Sequence, residues 1–250
     1  MDSHERALAD AFDGQAARFE RAPVQTDPVA LARLVAFAAL APDSLVLDAG
    51  CGPGLVAEAF LRGGHRVHGV DLSGEMLRRA QARCAPFGSR VSFEQGSVFD
   101  LAADRPFDAA VSRFVVHHSP DPVGFIRAQA ERVRRGGTVV VSDHVTDPDV
   151  DARRWHQEIE RARDRTHVRN LTSGELVEAL ARAGLADVQL SEDRFELDFD
   201  EWFDRGTPAL PKSDVRAFLL AGKARGFTPH ARSDGGFTIE CVRVVVRGVR

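Results

Sequence analysis

A short apolar run, Leu45-Val46-Leu47, passes into Asp48-Ala49-Gly50-Cys51-Gly52-Pro53-Gly54 and then into an amphipathic segment that opens at Leu55. Glycine lets the backbone turn sharply and approach a ligand closely. The helix start beyond it offers unpaired N–H groups. Strand, glycine loop and helix in this order open a nucleotide-binding parallel sheet. A second apolar run, Arg66-Val67-His68-Gly69-Val70, ends in Asp71, an acid placed to accept hydrogen bonds from a ribose.

The pattern continues. Apolar runs Val91–Phe93, Ala109–Val111 and Thr138–Val141 alternate with amphipathic segments near 54–62, 73–85 and 121–135, which is βαβ alternation with helices on both faces. Residues 3–20 read as a helix with Leu8, Phe12 and Phe19 on one side. Asp27-Pro28 opens another through about Leu40, with Asp as N-cap and Pro at the first position. Beyond the fifth run come a polar helical stretch over 149–165 and a helix from Thr172 to Ala183 with a capping box at Thr172 and Glu175. Strands near 186–197 and 236–247 follow, with helical material around 199–225 between them. The expected fold is α/β: a seven-stranded, mostly parallel sheet with helices on both faces, N-terminal helices and a lid. Residues 1–250 read as one domain, with 1–40 as a helical cover and 149–170 and 199–232 as lid insertions.

Composition excludes several classes. The chain has 250 residues, 44% of them hydrophobic, and a net charge of −4. A duplex binder shows a basic face, so no nucleic-acid partner is expected. No run of about 18 apolar residues reads as a membrane span, and the start Asp2-Ser3-His4-Glu5-Arg6 shows no apolar signal region. A cytoplasmic location is expected. The three cysteines, Cys51, Cys84 and Cys241, are scattered and lack zinc spacing, so neither a disulfide framework nor a metal site is expected.

Two ligand classes fit the loop. Gly52-x-Gly54-x-x-Ala57 formally satisfies a dinucleotide fingerprint, with Asp71 close to the expected offset. The other class is S-adenosylmethionine, and electrostatics favours it. Asp48 beside the loop would repel a pyrophosphate but suits an ammonium and a sulfonium. Pro53 removes an N–H from any phosphate cradle.

These residues resemble the class I S-adenosylmethionine-dependent methyltransferases. The similarity is to the small-molecule branch with ubiquinone/menaquinone-type C-methyltransferases and natural-product O-methyltransferases. Leu47 to Gly54 matches the family's first motif, and Val70-Asp71-Leu72-Ser73-x-x-Met76-Leu77 its second. Gly96-Ser97-Val98-Phe99 stands where Gly-Asp-Ala is usual. Phe107-Asp108-x-x-Val111-Ser112-Arg113 matches the fourth strand, and Arg134-x-Gly136-Gly137 the turn before the fifth. The resemblance covers about residues 10–185 and implies a Rossmann-like fold with S-adenosyl-L-methionine as cofactor. It implies Gly50, Cys51 and Gly52 at the methionine portion, together with Asp48, and Asp71 on the ribose. Leu72 and Met76 would pack near the adenine, Val98 would lie at its edge, and Ser97 would replace the usual acid there. The backbone around Arg113 would face the methionine end, and Phe12 and Phe19 would shield the site or simply fill the core.

Methyl transfer needs the acceptor held near the methyl in a dry pocket, and a hydroxyl or carbon acceptor can need a base. His117 and His118 follow the fourth strand and Asp143 ends the fifth, at the rim where ligands bind in such sheets. They are the candidate catalytic residues, with His144 beside them. The structural alternative is capping of the segments that follow. Arg161 to Asn170 reads either as a solvated helix end or as a lid presenting Arg or His to a polar or anionic acceptor, with Arg165 where the branch usually has Pro. Trp155 and Trp202 are candidate walls of the acceptor pocket, with core packing as the alternative. The expected function is methylation of a small-molecule acceptor, a hydroxyl in secondary metabolism, with His-assisted proton removal. The alternatives are a C-methyltransferase of quinone-type substrates and a non-methylating cofactor-binding relative.

Overall fold

The computed structural model describes residues 3–102 and 106–250. The first two residues of the expected cover, 1–2, lie outside the described residues. Three helices lead: α1 (Ser3–Phe19), α2 (Pro23–Thr26) and α3 (Pro28–Ala38). Asp27 caps α3 by accepting from the Val29 and Ala30 N–H groups. The alternating unit follows as β1 (Leu45–Ala49), α4 (Leu55–Arg62), β2 (Arg66–Asp71), α5 (Gly74–Cys84), β3 (Val91–Gln95), β4 (Phe107–Arg113), α6 (Pro122–Arg132) and β5 (Val133–His144). The chain ends with α7 (Val150–Arg163), α8 (Ser173–Arg182), β6 (Ala186–Asp198), α9 (Phe199–Asp204), α10 (Lys212–Leu219), β7 (Phe227–Ala231) and β8 (Phe237–Val249).

The sheet order is β3-β2-β1-β4-β5-β8-β6, with β7 also on β8. The first five strands are parallel, while β8 runs antiparallel between β5 and β6. The α/β architecture is the expected one, but among the described residues eight strands are present rather than seven. The extra strand, β7, lies where helical material was expected to give way to a turn. Pro229 removes a ladder donor from it, and it pairs with the first half of β8 only, Phe227 against Cys241 through Ala231 against Phe237. There it extends the sheet past the carboxyl end of β5. Helix α6 also ends earlier than expected, at Arg132, because Val133 already pairs with Phe107.

Apolar side chains divide among three clusters. One packs α6 and α8 on a sheet face and includes Ile126, Leu176 and Leu180. The opposite face carries α3 and α4 through Leu34, Phe60 and Leu61. The third joins Ile159 of α7, Trp202 of α9 and Leu219 of α10 to Phe227 and Ile239. It builds a roof over the strands' carboxyl ends. No described helix is long and apolar enough to cross a membrane.

Candidate active site

The loop after β1 is tied to the end of β2. Gly50 and Cys51 donate to the Val70 carbonyl at 2.8 and 3.0 Å. The Asp71 carboxylate accepts from the Gly52 N–H at 2.8 Å and the Ser73 N–H at 2.9 Å. Gly54 (φ 81°) allows α5 to close on the loop, since a Cβ there would lie 2.9 Å from the Ala80 Cα. A carboxylate has about four acceptor positions, so Asp71 keeps capacity beyond its two loop contacts. Burial pushes its pKa up to about 6, partly offset by those N–H groups.

Two cavity lobes meet at Asp71. One, of about 290 Å³, is lined by Leu72, Gly96, Ser97, Val98 and Phe99 with Leu8 of α1. The other, of about 120 Å³, is lined by Gly50, Cys51, Gly52, Met76, Arg113 and Phe114, with Phe12 and Phe19 of α1. The residues present fit the expected cofactor. A Cβ on Gly52 or Gly96 would meet nothing within 4 Å, so both glycines border open space where a side chain would fill the cradle. Asp48 lies elsewhere. It is 1% exposed, lines neither lobe, and its Oδ2 has no hydrogen-bond partner. Burial, then the Asp71 charge, raises its pKa to about 8, so at neutral pH it is mostly protonated beneath the loop and touches neither lobe. Cys51 is buried, and burial holds its thiol well above the ordinary range, which makes it no nucleophile.

Helix α1 closes both lobes. Its His4 Nε2 is 2.9 Å from the His118 carbonyl. Asp13 accepts from the Ser73 hydroxyl and the Glu75 N–H. Glu20, just past the helix, pairs with Arg79 at 2.5 Å and Arg83 at 3.3 Å. The Arg113 side chain was not anticipated in its role: it donates to the Val24 and Gln25 carbonyls at 2.7 and 3.0 Å and holds α2 over the smaller lobe.

A third chamber, of about 50 Å³, adjoins that lobe and shares Phe19, Gln25, Phe114 and His118 with it. Phe114 has φ 58°, a left-handed conformation that costs energy in a bulky residue. The turn aims the chain from β4 toward the rim, and the Phe114 N–H donates to the Ser142 carbonyl at 2.8 Å. His117, His118, His144 and His167 all line the chamber. Asp143 stands behind it. Its Oδ1 is 2.8 Å from His117 Nδ1, and its Oδ2 accepts the His117 backbone N–H at 3.1 Å. With a carboxylate as partner, His117 Nδ1 carries the hydrogen and Nε2 is left basic.

The imidazoles differ in charge tendency. Burial alone would depress His117, but Asp143, with Glu160 and Asp164 farther off, outweighs it and raises the pKa. Asp143 is lowered reciprocally, with His117 outweighing burial. Burial and the His117 charge push His118 down to about 3 and His144 to about 4, and His167 lies well below its ordinary value for the same first reason. His118 Nδ1 is also spent on the Thr166 carbonyl at 3.0 Å. Ligand atoms of His117, Asp143 and His144 lie within 4.8 Å of one another, close enough for a metal. The Asp143 oxygens are already engaged by His117 Nδ1, the His117 N–H and the His144 N–H, so the set reads more simply as a hydrogen-bonded dyad.

The 161–170 segment is not a solvated helix end. Arg163, Asp164, Thr166, His167 and Asn170 are buried. The Val168 and Arg169 N–H groups donate to the His117 carbonyl at 3.0 and 3.1 Å. Trp202 lines the chamber and also packs in the third apolar cluster. Trp155 does not line the chamber: it donates to the Phe218 carbonyl and packs on Phe227 and Gly222. Glu160, Arg163 and Arg205, which also line the chamber, were missed as individual residues. Their only sequence signal was spacing within charged helix ends.

Comparison with known proteins agrees with this geometry. Residues 24–190, well over half of the chain, match a family described as "Methyltransferase domain". A ubiquinone biosynthesis O-methyltransferase of Xanthomonas campestris pv. campestris (strain B100) is 40% identical over 118 residues, covering 46% of this chain and 49% of that protein. The match thus spans about half the length of those relatives. YafE of Escherichia coli (strain K12) is 33% identical over 179 residues, 70% of this chain and 86% of that one. Among solved structures, the YcgJ protein from Bacillus subtilis superposes with a TM-score of 0.77 at 24% identity, covering 88% of this chain and 97% of that chain. A geranyl diphosphate C-methyltransferase from Streptomyces coelicolor A3(2), solved with Mg2+, geranyl diphosphate and S-adenosyl-L-homocysteine, gives 0.60 at 20% identity, covering 89% and 79%. With a glycine cradle at the carboxyl end of a five-strand parallel core and a family match across it, the chain belongs to the methyltransferase-domain family.

Proposed function

We propose that the chain methylates a hydroxyl of a small molecule in secondary metabolism, with His117 as the general base and Asp143 as its positioning residue. The observation that carries this is the 2.8 Å contact between His117 Nδ1 and Asp143 Oδ1, beside a chamber that adjoins the smaller cofactor lobe. The naming of the Xanthomonas relative as an O-methyltransferase supports an oxygen acceptor.

When bound, S-adenosylmethionine supplies a methyl on a cationic sulfur that leaves as a neutral thioether. The chain's own residues bind, orient and take the proton. Asp71 holds the ribose hydroxyls through its spare acceptor positions. Ser97 and Val98 meet the adenine, and Gly50, Cys51 and Gly52 meet the amino-acid end. Leu72 and Met76 pack beside the adenine, while Phe19 and Phe114 keep water from the junction. His117 Nε2 accepts the acceptor's proton as the oxygen becomes a nucleophile, and Asp143 stabilises the imidazolium. His118, with its ring N–H on Thr166 and its pKa near 3, is the weaker base.

The 149–170 and 199–232 segments act as a lid over the acceptor within one domain. Their support is the roof cluster of Ile159, Trp202 and Leu219. We place the reaction in the cytoplasm, with the three buried cysteines kept as free thiols. The test is transfer by purified protein to a panel of phenols, quinones, polyketides and sugars, read as S-adenosylhomocysteine release. Methylation on carbon would replace the hydroxyl assignment. Near wild-type rates for both His117→Ala and His118→Ala would remove the base.

A further inference from the structure

The chamber holds an unusual concentration of unmet polar atoms. Three of its lining residues each carry a buried polar atom without a hydrogen-bond partner, Arg163 Nη2, Glu160 Oε1 and His144 Nε2; Glu160 Oε1 has only a longer ion-pair contact to His156 Nε2 at 3.6 Å, and His144 Nε2 one to Asp143 Oδ1 at 3.9 Å. An unpaired buried donor or acceptor costs the desolvation it suffered. The Arg163 atom can only donate and the Glu160 atom, when ionised, can only accept. A ligand that satisfies both must carry an acceptor at one end and a donor at the other.

Arg163 is held in place for this. Its Nε donates to the Trp202 carbonyl at 2.8 Å and its Nη1 to Asp164 at 3.0 Å. Its guanidinium lies 5.2 Å from the centre of the Trp202 ring. Gly206 packs so closely that a Cβ there would sit 2.7 Å from Arg163 Nε. The side chain therefore cannot swing to find another partner for Nη2. Asp164 is fully occupied, taking Thr166 N–H, Thr166 Oγ1 and Thr207 Oγ1 besides Arg163.

A second guanidinium stands nearby. Arg205 is buried, pairs with Glu201 at 2.7 Å and lies over the Phe19 ring at 5.7 Å. Burial, and then Arg163 itself, pushes its pKa down to about 10, and both guanidinium-bearing residues line the same chamber. Like charges buried side by side are stabilised by an anion between or beside them. Phe114, Phe195 and Trp202 supply flat apolar wall to the same chamber, and its volume of about 50 Å³ favours a small ligand.

We infer that the acceptor is a small hydroxycarboxylate, its carboxylate held by Arg163 with Arg205 beside it and its hydroxyl turned toward His117, His144 and Glu160. The inference rests on the chamber being the acceptor site. A carboxylate, rather than a phosphate, fits one free guanidinium nitrogen and a wall that already contains the Glu160 and Asp164 charges.

Calorimetric titration of the full chain saturated with S-adenosylhomocysteine tests this with 1-propanol, lactate, 3-hydroxypropanoate and propyl phosphate as probes. At least one hydroxycarboxylate should bind tenfold or more tightly than 1-propanol and more tightly than propyl phosphate. Arg163→Met should erase that margin with S-adenosylhomocysteine affinity unchanged. Equal binding of 1-propanol and both hydroxycarboxylates overturns the inference, as does tighter binding of propyl phosphate or a margin that survives in a folded Arg163→Met. The wild-type comparison stands even where the variant fails to fold. Loss of the proposed base function would appear in transfer assays and would leave these binding ratios intact.

Discussion

Asp143 grips His117 twice, its Oδ1 2.8 Å from the ring Nδ1 and its Oδ2 accepting the backbone N–H at 3.1 Å. Asp143 lies at the end of β5 and His117 in the turn that follows β4, the neighbouring parallel strand, so both reach one rim. One carboxylate thus fixes both the position and the tautomer of the imidazole. His117→Ala is expected to lower single-turnover methylation by about 10²–10⁴, the usual worth of a positioned base. Cofactor affinity should be nearly unchanged because His117 lines neither cofactor lobe. Rate and binding measured on the same preparation check this.

The pH profile carries a second expectation. A base works deprotonated, and His117 titrates above its ordinary 6.5 because Asp143 and the farther acids outweigh burial. The rate should therefore rise with pH along a limb centred above 6.5. Asp143→Asn removes the charge that holds the pKa up, so the limb should move toward acid while the plateau falls. A limb that stays in place in that variant would assign the titration to another group.

Asp71→Ala should weaken cofactor binding by tenfold or more, since hydrogen bonds to a charged group contribute about 1.5–3 kcal/mol each. The same carboxylate orders Gly52 and Ser73, so Asp71→Asn is the sharper comparison and should fall between the two. Calorimetry with S-adenosylhomocysteine distinguishes the three proteins.

Asp48 gives a stability expectation. Its folded-state pKa is about 8 against an ordinary 3.8. Between those values the folded chain keeps a proton that the unfolded chain releases, so stability falls as pH rises through this window. Below it the penalty is absent. Asp48→Asn should be more stable than wild type at pH 8, by on the order of several kcal/mol, and the two should converge near pH 4. Denaturant unfolding of the cofactor-free proteins across that range reads the difference.

His144 supplies the opposite slope. Burial and the His117 charge lower its pKa to about 4, so the unfolded chain binds a proton that the folded chain refuses between about 6.5 and 4. Stability is lost as pH falls through that window. His144→Asn should lose less than wild type over it, seen as a smaller drop in melting temperature.

What the sequence revealed follows from how local each signal is. The glycine loop, Asp71 and strands β1 to β5 were legible because turn chemistry and apolar period are written in consecutive residues. Asp27 and Thr172 announced their helices by capping. Strand β7 was not legible: Pro229 and its five-residue length look like loop, and only its partner β8 makes it a strand. The same holds for Arg163 and Arg205. Each sits in a charged helix end, and nothing nearby tells that Trp202, Gly206 and Asp164 wrap Arg163 away from water. Asp48 was read as a contact residue because it adjoins the loop, but it still belongs to β1 and its side chain is buried beneath the loop, outside both lobes.

Helix α1 lies across both cofactor lobes and is fastened by charged pairs, Glu20 with Arg79 and Arg83, besides the Asp13 contacts to Ser73 and Glu75. Apolar packing alone would make such a cover indifferent to electrolyte, whereas partly exposed ion pairs weaken as salt screens them. A spent cofactor that leaves beneath α1 would have to break contacts at the protein surface, some distance from the methyl group. Turnover limited by that escape will quicken with ionic strength although the chemical step does not.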